Sequence, residues 1–190
     1  PLSVCASVDS VLPTLSDSSD YFLSLILKAK ALMMMSKPDS ASSLLHRVSG
    51  YAHRQSGELR QKDYRLRMEL ANMEGNLLAR QSQTDSAIHA FRQAYDNSLY
   101  ADEAPKRLDI CLNLADAYVR YGRFDLGSMW YRRSLSLADT LGLPEEKRFP
   151  IYYGLAQVNM ELRDFATCDY YYDRAAQSYD KMMLFEKHIY

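Results

Sequence analysis

The sequence predicts an all-α fold, an α-solenoid of about four stacked helical hairpins, and three observations carry that prediction. First, the 190 residues include only 7 Gly and 6 Pro, fewer than a fold with many tight turns requires. Second, apolar residues recur three and four positions apart, which is the spacing of one face of an amphipathic helix. Third, one set of small and apolar residues returns with a period of about 40 residues, as in repeat proteins.

This repeated set defines the predicted elements in chain order. Residues 1–20 form an N-terminal extension; hairpins follow at about 21–55, 58–100, 104–141 and 145–181, and a further helix begins within 182–190. The clearest copy of the set holds Leu114, Ala115, Tyr118, Gly127, Tyr131 and Ser134. The copy after it holds Leu155, Ala156, Asn159, Cys168, Tyr172 and Ala175. The copy before it holds Glu74, Gly75, Leu78, Ala87, Phe91 and Ala94, and a fainter first copy holds Ala29, Leu32, Ala41, Leu45 and Val48.

Small residues in the set predict close contacts between helices, and large ones predict side chains that fill the gaps. Gly127 lies in mid-helix, where glycine costs about 1 kcal/mol relative to alanine, so its presence predicts a tight packing contact. Large residues follow a small one by about one turn in each copy: Leu45, Phe91, Tyr131 and Tyr172. We therefore expect Met33 and Tyr172 to be the core members of the triplets 33–35 and 170–172.

Composition excludes several classes of partner. The formal net charge is -1, whereas a nucleic-acid interface needs a clustered basic excess, so we expect no nucleic-acid binding by this segment. No apolar run approaches the roughly 18 residues of a membrane span, so we expect no direct membrane insertion. The three cysteines, Cys5, Cys111 and Cys168, are far apart and form neither a disulfide framework nor a metal-ligand spacing. Cys111 and Cys168 are expected to be small buried residues.

The first 20 residues leave the cellular compartment open. Val4, Cys5 and Ala6 fit the small-x-small preference of a signal-peptidase site, but neither a basic start nor a long apolar region is present. The extension is therefore either the remnant of a leader or a short helix at an arbitrary boundary. The location is either cytoplasmic or in the periplasm and cell envelope.

The repeated set resembles the tetratricopeptide repeat, whose pattern is W-x2-L-G-x2-Y, then A-x3-F, then a helix stop. The segment "CLNLADAYVRYGRFDLGSMWYRRS" carries the clearest resemblance, with "EGNLL" and "AIHAFRQA" next, and it extends from about Tyr21 onward. Three features depart from the pattern: no Trp fills the first slot, Glu74 and Lys28 fill the usual Leu slot, and the period exceeds the usual length of about 34. The resemblance, to long-period bacterial-type repeats, implies a right-handed superhelix.

No sequence motif indicates catalysis. The chain lacks H-E-x-x-H, G-x-S-x-G, the P-loop pattern and G-x-G-x-x-G. His46 and His53 are seven positions apart and could share a helix face, but no third ligand stands at metal-binding spacing. We therefore predict no enzyme, no cofactor and no metal site.

The resemblance implies that the first helix of each pair lines a concave groove that binds a peptide or protein. The corresponding positions are Asn72, Asn76, Arg80, Asn113, Asp116, Arg120, Tyr153 and Gln157. Amide side chains can pair with both the N–H and the C=O of a ligand backbone, and arginines can pair with carboxylates. Exposed helix faces are polar in any case, so the recurrence across three units is what favours a site. Some family members clamp a terminal carboxylate with a Lys where this chain has Asn72, so we do not predict chaperone-tail binding.

Two functions remain open. The first is a non-catalytic scaffold that binds a protein or peptide. The second is a sensory module of a larger bacterial signalling or transcription regulator, in some cases membrane-attached, with an effector domain beyond Tyr190. We also expect the chain to be part of a longer protein, with Leu184, Phe185 and Ile189 either exposed or paired with a second copy. Self-association would then occur through the C-terminal end.

Overall fold

The computed structural model describes residues 1–12, 18–55 and 58–187, and side chains up to Met183. Within those residues the chain forms α-helices and no strand, so the all-α prediction is confirmed. The helices are α1 (Leu2–Val11), α2 (Ser18–Met34), α3 (Pro38–Arg54), α4 (Gln61–Arg80), α5 (Thr84–Ala101), α6 (Ala104–Arg120), α7 (Phe124–Thr140), α8 (Phe149–Glu161) and α9 (Phe165–Lys187). A short 3-10 turn, Glu145–Lys147, precedes α8.

Helices α2 to α9 form four hairpins that turn in the same way. In each turn one residue has a left-handed backbone: Ser36, Ser82, Gly122 and Arg163. The next backbone N–H then donates to a carbonyl in the last turn of the preceding helix, at 2.9–3.0 Å. The accepting residues are Leu32, Leu78, Tyr118 and Asn159, which share one slot of the sequence repeat. This Schellman arrangement ends each first helix, so the repeat in sequence is also a repeat in geometry.

The chain divides into two compact units, Pro1–Glu103 and Ala104–Tyr190. The core of the first unit is built by α2, α3 and α4, with Leu25, Leu45, Val48, Leu66 and Leu70 at its centre. Phe91 of α5 is buried as well. Helix α1 packs on α2. Hairpins α2–α3 and α4–α5 therefore make up this unit.

The second unit contains hairpins α6–α7 and α8–α9. All four helices contribute fully buried residues, among them Ile110, Cys111, Leu114, Ala138, Ile151, Leu155, Val158 and Cys168. Both predicted core cysteines are therefore buried, and burial raises the pKa of the Cys111 thiol to about 12. The thiol is protonated at neutral pH and acts as a small apolar side chain.

Small residues mark the closest helix contacts. Gly127 is the fourth residue of α7 and not the mid-helix residue that was expected, but a Cβ atom on it would lie 2.7 Å from Cγ2 of Val119, so the predicted packing contact is confirmed. A Cβ on Gly75 would lie 2.5 Å from the Phe91 ring. A Cβ on Gly154 of α8 would collide with the Tyr131 ring of α7, a contact that the sequence did not predict.

Two predictions about the last hairpin differ from the structure. The first concerns Tyr172, which is 37% exposed and is not a core residue, whereas Met33 of α2 is buried as expected. Tyr131 is covered by Gly154 of the following helix, whereas no described helix follows α9 to cover Tyr172. A further helix was also expected to begin within 182–190. Instead α9 continues to Lys187, because residues 165–187 contain neither Gly nor Pro to end it.

The exposure predicted for Leu184, Phe185 and Ile189 concerns side chains outside the described residues.

Candidate functional site

Three of the candidate residues lie along one face of α6. This helix buries Leu114, Ala115, Ala117 and Tyr118 among others. Asp116 and Arg120 are exposed and Asn113 is half-buried. Residues three, four and seven apart lie on the same side of a helix, so these three side chains form a stripe. Their alignment follows directly from the burial of the opposite face.

Helix α8 presents a corresponding stripe. It buries seven residues: Ile151, Tyr152, Gly154, Leu155, Ala156, Val158 and Asn159. Tyr153 and Gln157 stay exposed, four positions apart on one face. Helices α6 and α8 contact each other, so the two stripes belong to neighbouring first helices of the second unit.

Asp116 is held by a buried tyrosine. The Tyr131 hydroxyl donates a hydrogen bond to Oδ1 of Asp116. Asp116 is exposed as a residue, but partial withdrawal of its carboxyl group from water raises its pKa, while this hydrogen bond and the charge of Arg120 act in the opposite direction. Burial and the neighbouring Asp116 carboxylate raise the pKa of Tyr131. The Asp116 side chain is therefore fixed in place by Tyr131.

Tyr153 belongs to an exposed aromatic cluster. It stacks on Phe149 with ring centres 5.6 Å apart and meets the edge of Tyr172 at 6.2 Å. Phe149 also contacts Tyr179 at 5.7 Å. Tyr153 and Tyr179 are 41% and 44% exposed. Sequence analysis did not predict this cluster, although Phe149 and Tyr153 stand four positions apart on α8, the spacing that brings rings together.

The remaining candidates, Asn72, Asn76 and Arg80, lie on α4 in the first unit. Asn72 and Asn76 are half-buried, and Arg80 is exposed. Nη1 of Arg80 donates to the backbone carbonyl of Met33 at 3.2 Å. Arg80 therefore stabilises the end of α2, and part of its donor capacity is already used within the protein.

Neither a metal site nor a membrane-spanning helix is found in residues 1–12, 18–55 and 58–187. These residues contain no group of three or more His, Cys, Asp or Glu side chains arranged to hold a metal ion. His53 was one of the two histidines considered above as metal ligands, and its Nδ1 lies 2.8 Å from the carbonyl oxygen of Ser49. None of the helices in this part of the chain is both long and apolar enough to cross a bilayer.

No protein-family model and no curated protein matches the sequence. Solved structures do match the fold. The tetratricopeptide-repeat sensor protein of the STAND ATPase class from Pyrococcus horikoshii aligns with a TM-score of 0.77 at 14% identity, over 95% of this chain and 27% of that one. PilF from Pseudomonas aeruginosa aligns with a TM-score of 0.67 at 17% identity, over 90% of this chain and 65% of that one.

A putative kinesin light chain with TPR-like repeats from Podospora anserina aligns with a TM-score of 0.66 at 17% identity, over 94% of this chain and 86% of that one. The chain has a tetratricopeptide-repeat fold. It spans about a quarter of the length of the Pyrococcus horikoshii protein and about two thirds of the length of PilF. In this fold α2, α4, α6 and α8 are the first helices of their repeats.

Proposed function

We propose that this chain is a non-catalytic scaffold that binds a protein or peptide through the exposed faces of its first helices. The observation that carries the proposal is the pair of neighbouring stripes on α6 and α8, in which Asp116, Arg120, Tyr153 and Gln157 are exposed while the opposite faces of both helices contribute to the core. In the first unit the corresponding residues are Asn72, Asn76 and Arg80.

The chemistry of the stripes supports a moderately polar peptide. Asn113 and Gln157 carry both a donor and an acceptor, as a peptide backbone does. Arg120 can pair with a carboxylate through two parallel hydrogen bonds. Tyr153 and its aromatic neighbours offer an apolar anchoring surface, and tyrosine is enriched among residues that dominate binding energy. We expect modest affinity, because polar groups exchange water for ligand at little net gain per hydrogen bond.

A pull-down from the source proteome tests the proposal. The bait is the whole chain, and the variant combines Tyr153→Ala with Gln157→Ala, both of which remove exposed atoms. Gln177→Ala, an exposed residue of α9, is the matched control. Partners retained by wild type and control but lost by the double variant support the proposal. Partners retained equally by all three place binding elsewhere.

A second candidate function is a sensory module of a larger regulator. It is favoured by the similarity to a protein described as a signal-transduction ATPase with a tetratricopeptide-repeat sensor. Sequencing the encoding gene past the codon for Tyr190 tests this candidate. An effector domain in the same reading frame supports it, and an immediate stop codon contradicts it.

A further inference from the structure

Glu74 occupies a position that is apolar in the neighbouring repeats. The same slot holds Leu114 in α6 and Leu155 in α8, and both leucines are 0% exposed. Glu74 is half-buried in α4, and burial raises the pKa of its carboxyl group, with His53 acting in the opposite direction. Burying a carboxylate is costly unless it is paired. In the described part of the chain no hydrogen bond or ion pair reaches Glu74.

The first repeat shows how a charge in this slot can be satisfied. There the slot holds Lys28, and Nζ of Lys28 lies 2.5 Å from Oδ1 of Asp9 in α1. A side chain of opposite charge, carried by a different segment, therefore neutralises it. Among the described residues Glu74 has no such ion pair, and His53 of α3 acts on it electrostatically without a hydrogen bond. As the Lys28 cation pairs with a carboxylate, the Glu74 carboxylate would pair with a cation.

Glu74 lines a cleft of about 470 Å³ in the first unit, between α3, α4 and α5. Its apolar wall is formed by Ala52, Leu70 and Ala71. A second carboxylate, Asp96, also lines it and is exposed. Glu74 and Asp96 carry two negative charges against the one positive charge of Arg67, and His53 is the remaining titratable side chain of the cleft.

Arg67 contributes a donor that is not used. Its Nη2 donates to the carbonyl oxygen of Ala52 at 3.1 Å. Its Nε is buried and has no hydrogen-bond partner among the described residues. Most buried donors in proteins are paired, so this N–H is an unsatisfied donor in the wall of the cleft. A peptide carbonyl oxygen can accept from it once the Arg67 side chain turns toward the cleft.

We propose that this cleft binds a basic side chain, Lys or Arg, presented by a partner peptide. The cation lies between Glu74 and Asp96, its aliphatic stem lies on the apolar wall, and a peptide carbonyl accepts from Nε of Arg67. An adjoining cleft of about 540 Å³ shares Glu74 and Gln93, which gives room for residues beside the basic one. Glu74 is two positions from both Asn72 and Asn76, about 200° around the helix, so this cleft differs from the face proposed above.

The test compares three short fluorescent peptides that differ only in their central residue, Arg, Lys or Glu, in a background of Ser and Ala. We expect the Arg and Lys peptides to bind the whole chain and to change their fluorescence anisotropy, and the Glu peptide not to bind. Glu74→Gln, which keeps the shape and removes the charge, should weaken binding about tenfold or more. Glu74→Leu, which restores the residue of the other repeats, should abolish binding and raise the melting temperature.

Three controls make the outcomes distinct. Glu161→Gln, an exposed change in the second unit, should leave peptide binding unchanged. The Tyr153→Ala and Gln157→Ala double variant should also leave it unchanged, so failure of the first proposal and failure of this one are separable. Equal binding of the Glu and Arg peptides, or unchanged Arg-peptide binding by folded Glu74→Leu or Glu74→Gln, would overturn the inference. Binding of free L-arginine as strong as that of the peptide would overturn its peptide part.

Discussion

At the scale of single residues, Asp63 shows how one buried charge can organise the start of a helix. It lies in the first turn of α4 and is only 4% exposed. Its carboxylate accepts from the backbone N–H and the guanidinium of Arg60, from the hydroxyl of Ser19 and from the amide of Gln55, at 2.9–3.2 Å. Burial acts to raise the pKa of Asp63, but the hydrogen bonds outweigh it and hold the pKa well below 3.8.

We predict that Asp63→Ala lowers the free energy of unfolding by about 2 kcal/mol at neutral pH, because the buried hydroxyl of Ser19 and the backbone N–H of Arg60 lose their acceptor. The folded pKa of Asp63 is depressed, so its contribution is present above the ordinary pKa and is lost as the pH falls toward the folded value. Denaturant unfolding of both proteins between pH 7 and pH 3 measures this. The difference between wild type and variant should shrink below pH 3.8; a difference that grows with acid would contradict the assignment.

At the scale of helices, glycines allow two neighbouring helices to pack closely at a few contacts. Gly127 of α7 faces Val119 of α6, and Gly75 of α4 faces the Phe91 ring of α5. Gly154 of α8 accommodates the ring of Tyr131, whose hydroxyl in turn fixes Asp116. The packing of α7 against α8 thus also positions a residue of the proposed binding stripe.

We predict that Gly127→Leu overpacks the contact between α6 and α7 and costs about 1–3 kcal/mol, since Val119 and the α6 backbone both lie against the new side chain. Thermal unfolding followed by circular dichroism measures the effect. Gly50→Leu is the matched control, because no atom lies within 4 Å of a Cβ built on Gly50. Equal melting temperatures for wild type and Gly127→Leu would contradict the packing described here.

At the scale of the whole molecule, the exposed apolar side chains of the last hairpin matter most. Helix α9 exposes Tyr170, Tyr172, Tyr179 and Met183, and α8 exposes Tyr153 and Met160. Contiguous exposed apolar surface often marks an interaction site. The tetratricopeptide-repeat fold buries such residues against a neighbouring helix elsewhere in this chain, as Tyr131 shows.

We predict that the chain self-associates through this hairpin at high protein concentration. Light scattering after size-exclusion chromatography should give a mass that rises with concentration, and Tyr172→Glu combined with Tyr179→Glu should lower it toward that of a monomer. Circular dichroism confirms that the double variant is folded. A wild-type mass that stays monomeric across the concentration range would contradict self-association.

Local patterns in the sequence were sufficient to predict the helical fold, the repeat and the core positions of Met33, Cys111 and Cys168. They were sufficient because helical periodicity and small-residue slots act over a few turns of one chain segment. They also placed Asn113, Asp116 and Arg120 together, since residues at that spacing share a helix face. These predictions needed no knowledge of which helix follows which in space.

Tertiary structure alone decided the properties that depend on a neighbouring element. Tyr131 and Tyr172 occupy the same slot, yet one is buried and the other exposed, because only Tyr131 has a described helix packed over it. Lys28 and Glu74 likewise share a slot, but Lys28 pairs with Asp9 of another helix, whereas the described residues form no ion pair with Glu74. Burial and charge pairing are properties of contacts between distant parts of a chain, so the same slot holds a buried tyrosine in one repeat and an exposed one in another.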